Sequence, residues 1–116
     1  MSGSSLPQNL AIPGDKIARY LLNPDHPQGG SKARFFLGFG FSRERTTEFA
    51  DALFLQALRA SVCMVTPTSP DRRVIACIGP IATPSGREPW IRTVWLVERD
   101  EVGRLVTAHP DRARSA

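Results

Sequence analysis

The feature that most constrains this chain is a turn-rich link between two segments that have helical periodicity. The link covers residues 23–30 and holds Pro24, Pro27, Gly29 and Gly30. A residue that precedes proline avoids the helical region, and glycine is the usual residue of tight turns. The link therefore predicts two separate short helices, one on each side of a sharp turn. It is also a loop of the kind where binding and catalytic side chains concentrate.

Apolar spacing predicts three helices in the first half of the chain. The first begins after a cap at Asp15 and ends before Pro24, the second begins at Ser31, and the third spans about residues 47–59. In each of them apolar residues recur at the i, i+3 and i+4 positions of one helical face. Gly38, and then Gly40, are expected to stop the second helix.

The last third of the chain has the composition of β-strands. Runs rich in Val, Ile, Thr and Trp occupy residues 74–78, 90–98 and 105–109, whereas the prolines of residues 66–73 indicate a loop. Short consecutive strands favour an antiparallel meander. The predicted fold class is α+β, with three N-terminal helices packed on a C-terminal antiparallel sheet of three or four strands.

The length of 116 residues fits one domain. We assign it to residues 6–110, with residues 1–5 as a disordered N-terminus and residues 111–116 as a basic flexible tail. The sequence has no membrane-length apolar run, no cofactor motif and no metal motif. The two cysteines, Cys63 and Cys77, do not suggest a disulfide framework without a signal peptide. We therefore expect a cytoplasmic protein with reduced thiols, no membrane association and no cofactor.

The net charge of +4 comes mainly from arginine. Arginine suits phosphate recognition because its guanidinium donates two hydrogen bonds at once. A mildly basic surface with no ligand explains the same excess.

Four residues form a candidate set for cleavage of RNA without a metal ion. Such a reaction needs a base for the 2′-hydroxyl proton, an acid for the leaving oxygen and cations around the phosphate. His26 is the candidate acid or base because histidine titrates near neutral pH. Lys32 and Arg92 are candidates to hold the phosphate, and Thr107 to donate a hydrogen bond to it. Each of the four also has a structural interpretation, His26 as the brace of a turn and Thr107 as an ordinary strand residue.

Further residues are candidates for binding RNA. Trp90 follows Pro89 at a strand start and is a candidate to stack on a base, whereas Trp95 is expected in the core. Arg34 is an alternative to Lys32 as a phosphate ligand. The Arg72–Arg73 pair is a candidate for backbone phosphates.

The strand register decides which of these residues share a face. If the last turn centres near Glu101, Trp95 lies opposite Thr107 and Thr93 lies opposite His109. A shift of one residue instead places Arg92 on the face with Thr107.

Motifs along most of the chain resemble those of a family of small uncharacterised bacterial domains. The matching pieces are residues 6–7, 16–17, 20–27, 30, 32–36, 40–41, 79–80, 83–84, 86–87, 92–95 and 104–108. Members of this family are encoded next to another small gene or form the C-terminal domain of larger phage-related or secreted proteins. This distribution resembles that of toxin modules. One departure is His109, where the family pattern implies an aromatic residue. The predicted order of helices and sheet also resembles compact ribonucleases and toxins of the barnase and RelE type, by architecture only.

Two functions follow as expectations. The first is a ribonuclease-like toxin with RNA as its substrate and a neutralising partner protein. The second is a non-enzymatic binding module, such as an antitoxin, immunity or adaptor protein, that uses an exposed sheet edge or the arginine-rich face. Convergence of His26, Lys32, Arg92 and Thr107 in one cleft favours the enzyme, and an exposed apolar patch favours the binding module.

Overall fold

The computed structural model describes residues 6–111. The expected disordered segment, residues 1–5, lies outside the described residues, as do residues 112–116 of the expected tail. Asp111, the first residue of that tail, is 8% exposed, and its backbone N–H donates to the carbonyl of Trp90 at 3.0 Å.

The centre of the fold is one sheet of five strands in the spatial order β1-β5-β4-β3-β2. Strands β2 to β5 form an antiparallel meander, and β1 pairs in parallel with β5. The strands are β1 (Asn9–Ala11), β2 (Val62–Ser69), β3 (Arg72–Pro80), β4 (Trp90–Val97) and β5 (Val102–Pro110).

The predicted arrangement of three N-terminal helices on an antiparallel sheet of three or four strands is wrong. The sheet has five strands, and β1 precedes every helix in the described residues. The helical part consists of a five-residue π-helical turn (Ile17–Leu21), α1 (Gly30–Gly38) and α2 (Thr46–Arg59). No helix within residues 6–111 has the length and apolar character to cross a membrane.

The two missed strands carry weak sequence signals for physical reasons. Strand β2 is an edge strand with seven of its eight residues exposed, so its side chains do not alternate between apolar and polar. It also contains Pro67, which an edge strand tolerates because one side of its backbone pairs with nothing. Strand β1 has three residues, too few to show a period of two.

The first predicted helix is a single wide turn. The N–H of Leu22 donates to the carbonyl of Ile17 at 2.7 Å, which is the i to i+5 bond of a π-helix. This turn buries Ile17, Leu21 and Leu22 together. The sequence pattern did not distinguish it from an ordinary amphipathic helix.

The helices cover one face of the sheet and leave the other open. In β4 the odd-numbered residues are buried and the even-numbered residues, including Arg92, are half-buried. Trp95 is fully buried, as expected for a core residue. The largest fully buried side chains are Trp95, Phe36, Phe49, Leu21, Leu22, Leu53, Ile75, Ile81, Ile91 and Leu105.

A buried polar network attaches α2 to the sheet. Gln56 is 2% exposed and its Nε2 donates to the carbonyls of Cys77, Gly79 and Ile91 at 3.0, 3.3 and 3.2 Å. Its Oε1 accepts a bond from the hydroxyl of Thr93 at 2.7 Å. The network satisfies the amide side chain that α2 places in the core.

Candidate functional site

A cleft of about 350 Å³ lies between the first turn of α1 and the end of β5. Strand β1 pairs with Val102 to Arg104 at the start of β5. Within residues 6–111, the later part of β5 has no neighbouring strand on that side, and α1 packs against β5. The cleft is lined by Ser31, Lys32, Phe35, His109 and Pro110.

Three polar side chains from three elements meet beside this cleft. The ammonium of Lys32, on α1, donates to the phenol oxygen of Tyr20 at 2.9 Å and to the hydroxyl oxygen of Thr107 at 3.3 Å. The two hydroxyl oxygens lie 3.2 Å apart. Tyr20 belongs to the π-helical turn and Thr107 to β5, so the cluster is held by the tertiary fold. We call these three residues the Tyr–Lys–Thr cluster.

The cluster lowers the pKa of Tyr20 below its ordinary value of 10.0. Partial burial alone raises this pKa, because it disfavours the charged phenolate. The hydrogen bonds from Lys32 and Thr107 and the positive charges of Lys32 and Lys16 favour the phenolate and prevail. Tyr20 is therefore a hydroxyl group that releases its proton more readily than an exposed tyrosine.

His26 braces the link between the π-helical turn and α1. Its Nδ1 accepts hydrogen bonds from the backbone N–H groups of Gln28 and Gly29 at 3.1 and 3.0 Å. The neutral ring therefore carries its proton on Nε2, and that nitrogen can donate but not accept. The ring also meets Tyr20 edge-on, with 4.9 Å between the ring centroids. This arrangement matches the structural interpretation of His26 and leaves the neutral imidazole no free basic nitrogen.

Two glycines of the link are required by close contacts. A Cβ at Gly29 would lie 2.6 Å from Cε1 of Tyr20, and one at Gly30 would lie 2.5 Å from the carbonyl oxygen of Pro24. Both distances are below any ordinary contact. The glycines thus let α1 approach the π-helical turn closely enough for Lys32 to reach Tyr20.

His109 differs from His26 in which ring nitrogen carries the proton. Its Nδ1 lies 3.2 Å from the carbonyl oxygen of Pro110. Because a carbonyl only accepts, Nδ1 is the donor, and the neutral ring keeps a lone pair on Nε2. His109 also lines the cleft. It is therefore the histidine whose geometry suits a general base.

A bulge in β5 aligns His109 with Arg92. Trp95 pairs with Leu105, but Val94 pairs with Thr107, so Val106 is an extra residue. Arg92 is consequently opposite His109. The expected register, with Trp95 opposite Thr107, is wrong because the turn is centred on Asp100, where Val97 pairs with Gly103, and not near Glu101. The alternative, with Arg92 on the face with Thr107, agrees with the pairing beyond the bulge, where Val94 is opposite Thr107. Directly opposed residues have Cβ atoms about 4.5–5.5 Å apart, so Arg92 and His109 are neighbours on the open face.

The predicted RNA-binding residues are dispersed. Arg34 donates to the carbonyl of Pro24 at 2.9 Å and so supports the link. Trp90 is half-buried and shares the open face of β4 with Arg92. Arg72 and Arg73 pair with Glu98 and Glu101 at 2.8 and 3.0 Å.

The Arg72–Arg73 pair lies at the opposite end of the strands from the cleft. Arg73 pairs with Val97, whereas Arg92 pairs with Ile78. The five residues from 73 to 78 correspond to about 17 Å along the strand. Of the predicted catalytic residues, Lys32 therefore lines the cleft and Thr107 contacts Lys32, whereas Arg92 lies opposite the cleft residue His109. Arg72 and Arg73 are separated from the cleft.

Sequence reasoning missed two residues of the site. Tyr20 lies in the first predicted helix and is not among the candidate residues, although its hydroxyl near Lys16 is a polar signal. His109 is the departure from the family pattern and is not among the candidates either, although an imidazole suits acid–base chemistry. Within residues 6–111, no group of three or more His, Cys, Asp or Glu side chains could hold a metal ion.

Comparison with known proteins gives one positive result. The chain matches none of the curated proteins and none of the solved structures with which it was compared. A family model described as a domain of unknown function matches residues 6–112, which is most of the chain. The chain belongs to this family, DUF6883.

Proposed function

We propose that this domain is a ribonuclease-like toxin that binds RNA in the cleft and cleaves it by acid–base catalysis through its own side chains. The main support is the position of the Lys32 ammonium, which donates to the hydroxyls of both Tyr20 and Thr107 beside a cleft that His109 lines. Cleavage of RNA by attack of the 2′-hydroxyl on the adjacent phosphate requires groups that transfer protons and groups that stabilise the negative charge. A cation, two polarised hydroxyls and an imidazole can supply both.

The roles follow from the chemistry of each group. Nε2 of His109 accepts the proton of the 2′-hydroxyl as that oxygen attacks the phosphorus. Tyr20, with its lowered pKa, gives its proton to the leaving 5′-oxygen. Lys32 and Thr107 hold the phosphate oxygens while negative charge develops. His26 has no proton-transfer role in this scheme and serves to hold the link.

Binding of RNA is supported by the surroundings of the cleft. Trp90 and Arg92 share the open face of the sheet, and Phe35 lines the cleft. Aromatic rings stack on unpaired bases largely independently of the nucleotide sequence. The net charge of +4 favours approach of a polyanion. A cytoplasmic location and a neutralising partner protein are parts of the same proposal.

One observation supports the second candidate, a non-enzymatic binding module. The edge strand β2 is exposed along most of its length, and Met64 and Val65 are 43% and 41% exposed. An exposed apolar edge is a template for a strand from a partner. An antitoxin, immunity or adaptor role would use this edge rather than the cleft.

The deciding experiment incubates the purified protein with single-stranded RNA and with DNA of the same sequence. We expect cleavage of RNA only, with 2′,3′-cyclic phosphate products, because the attacking group is the 2′-hydroxyl. His109→Gln and Lys32→Met should each lower the rate by about 100-fold or more, and Arg72→Gln should not. RNA that stays intact, or is cleaved equally by all the variants, would contradict the proposal.

A further inference from the structure

The two cysteines of the chain face each other across neighbouring strands. Cys63 on β2 pairs directly with Cys77 on β3, and their sulfur atoms are 3.5 Å apart. Cys63 is exposed and Cys77 is fully buried. The sequence spacing predicted only two reduced thiols, because the β2–β3 hairpin that joins them was not recognised.

The backbone geometry accepts a covalent bond at this position. Opposed residues of an antiparallel pair have Cα atoms about 4.5–5.5 Å apart. Disulfides occur at Cα separations of about 4.4–6.8 Å, so no strand movement is required. The sulfurs need only approach from 3.5 Å to about 2.0 Å, which side-chain rotation provides.

The two thiols differ in a way that sets the order of reaction. Burial, which is the largest cause, and the contact with Cys63 together raise the pKa of Cys77 to about 12, against a smaller lowering by a hydrogen bond with Thr93. A buried thiol that resists ionisation is a poor first nucleophile. The exposed sulfur of Cys63 is the one that a reagent in solution reaches. Cys77 then lies in contact with it as the second sulfur.

We propose that Cys63 and Cys77 form an exchange site for small-molecule disulfides and close a reversible disulfide between β2 and β3. The Cys63 thiolate attacks the small disulfide, forms a mixed disulfide and releases one thiolate. The Cys77 sulfur then attacks the Cys63 sulfur, and the second small thiolate leaves and takes up the Cys77 proton. The two protein thiols lose two electrons and two protons, and the small disulfide becomes two thiols.

The bond would fasten the exposed edge strand to the rest of the sheet. In the part of the chain that the structure describes, strand β2 pairs with β3 alone, so hydrogen bonds to one neighbour hold it. A link at Cys63–Cys77 closes the hairpin covalently and restricts the unfolded chain. We expect the oxidised protein to unfold at a higher temperature than the reduced protein. This inference does not depend on the proposed cleavage of RNA.

The test uses the folded protein with oxidised glutathione, an acid quench and intact-mass measurement. Wild-type protein should become two hydrogens lighter, carry no glutathione and return to the reduced mass with dithiothreitol. Cys77→Ser should retain glutathione on Cys63, and Cys63→Ser should remain unmodified. Heating should show a higher unfolding temperature for oxidised wild type, and no change for treated Cys63→Ser.

Three outcomes would overturn the proposal. In the first, wild type keeps glutathione on Cys63, which means that Cys77 does not attack. In the second, wild type forms covalent dimers through Cys63. In the third, it shows no change in mass. Peptide mapping of wild type locates the bond directly, so the conclusion stands even where a serine variant fails to fold.

Discussion

The ammonium nitrogen of Lys32 lies 2.9 Å from the phenol oxygen of Tyr20, and the link of residues 23–30 separates the two elements that carry them. Gly29 and Gly30 remove the side chains that would hold these elements apart. His26 fixes the path of the link through its Nδ1. The link that dominates the sequence therefore acts by positioning α1 against the π-helical turn.

The phenol of Tyr20 should titrate below pH 10.0, its ordinary pKa, because Lys32 and Thr107 stabilise the phenolate against the effect of burial. Tyr20 is the only tyrosine of the chain, so ultraviolet absorbance of tyrosinate reports this group alone. Lys32→Met should raise the pKa markedly. Lys16→Met removes a nearby positive charge but no hydrogen bond to Tyr20, so it should raise the pKa of Tyr20 less. A wild-type pKa at or above 10.0 would contradict the described cluster.

The same shift predicts a dependence of stability on pH. Since the pKa of Tyr20 is lower in the folded state, the unfolded state binds more protons between the folded pKa and 10.0. The free energy of unfolding attributable to Tyr20 therefore rises with pH across this window, is complete above it and is lost as pH falls through the folded pKa. Denaturation of wild type and Tyr20→Phe at several pH values measures it. A difference between them that does not grow with pH would contradict the prediction.

His26→Ala should destabilise the fold by about 0.5–2 kcal/mol, the cost of losing a side-chain cap of backbone N–H groups. The two N–H groups that His26 serves belong to Gln28 and Gly29. Asp25→Ala is the matched control, because Asp25 is exposed in the same link. Urea unfolding of both variants gives the difference. The folded fraction of His26→Ala should retain the RNA-cleaving activity. Complete loss of that activity in folded protein would indicate a catalytic role for His26.

Local patterns were sufficient for some parts of this structure and not for others. The predicted helix at residues 47–59 agrees with α2 (Thr46–Arg59), because its apolar period is long. Lys32 and Thr107 were selected for their chemistry, and they do meet. The bulge at Val106 and the parallel pairing of β1 depend on contacts with distant segments. No local period encodes them, and the position of His109 depends on that bulge.

The salt dependence of RNA binding should distinguish the cleft from the far end of the sheet. Each phosphate contact in a single strand contributes about −0.7 to the slope of log affinity against log salt. Lys32→Met should therefore make the slope shallower by about 0.7. Arg72→Gln should leave it unchanged, since Arg72 is paired with Glu98. Fluorescence anisotropy with a deoxy-substituted, uncleavable strand measures both. Equal slopes for wild type and Lys32→Met would remove Lys32 from the phosphate site.

Gln56→Leu should lower the free energy of unfolding by about 1–3 kcal/mol, the cost of leaving a buried polar partner without a hydrogen bond. Leucine fits the size of the site but cannot accept the bond from Thr93 or donate to the three carbonyls that Gln56 serves. Gln28→Leu is the control because that side chain is exposed. Chemical denaturation of the two variants should separate them clearly. If Gln56→Leu and Gln28→Leu are equally stable, apolar packing of α2 on the sheet is sufficient and the hydrogen-bond network adds no stability.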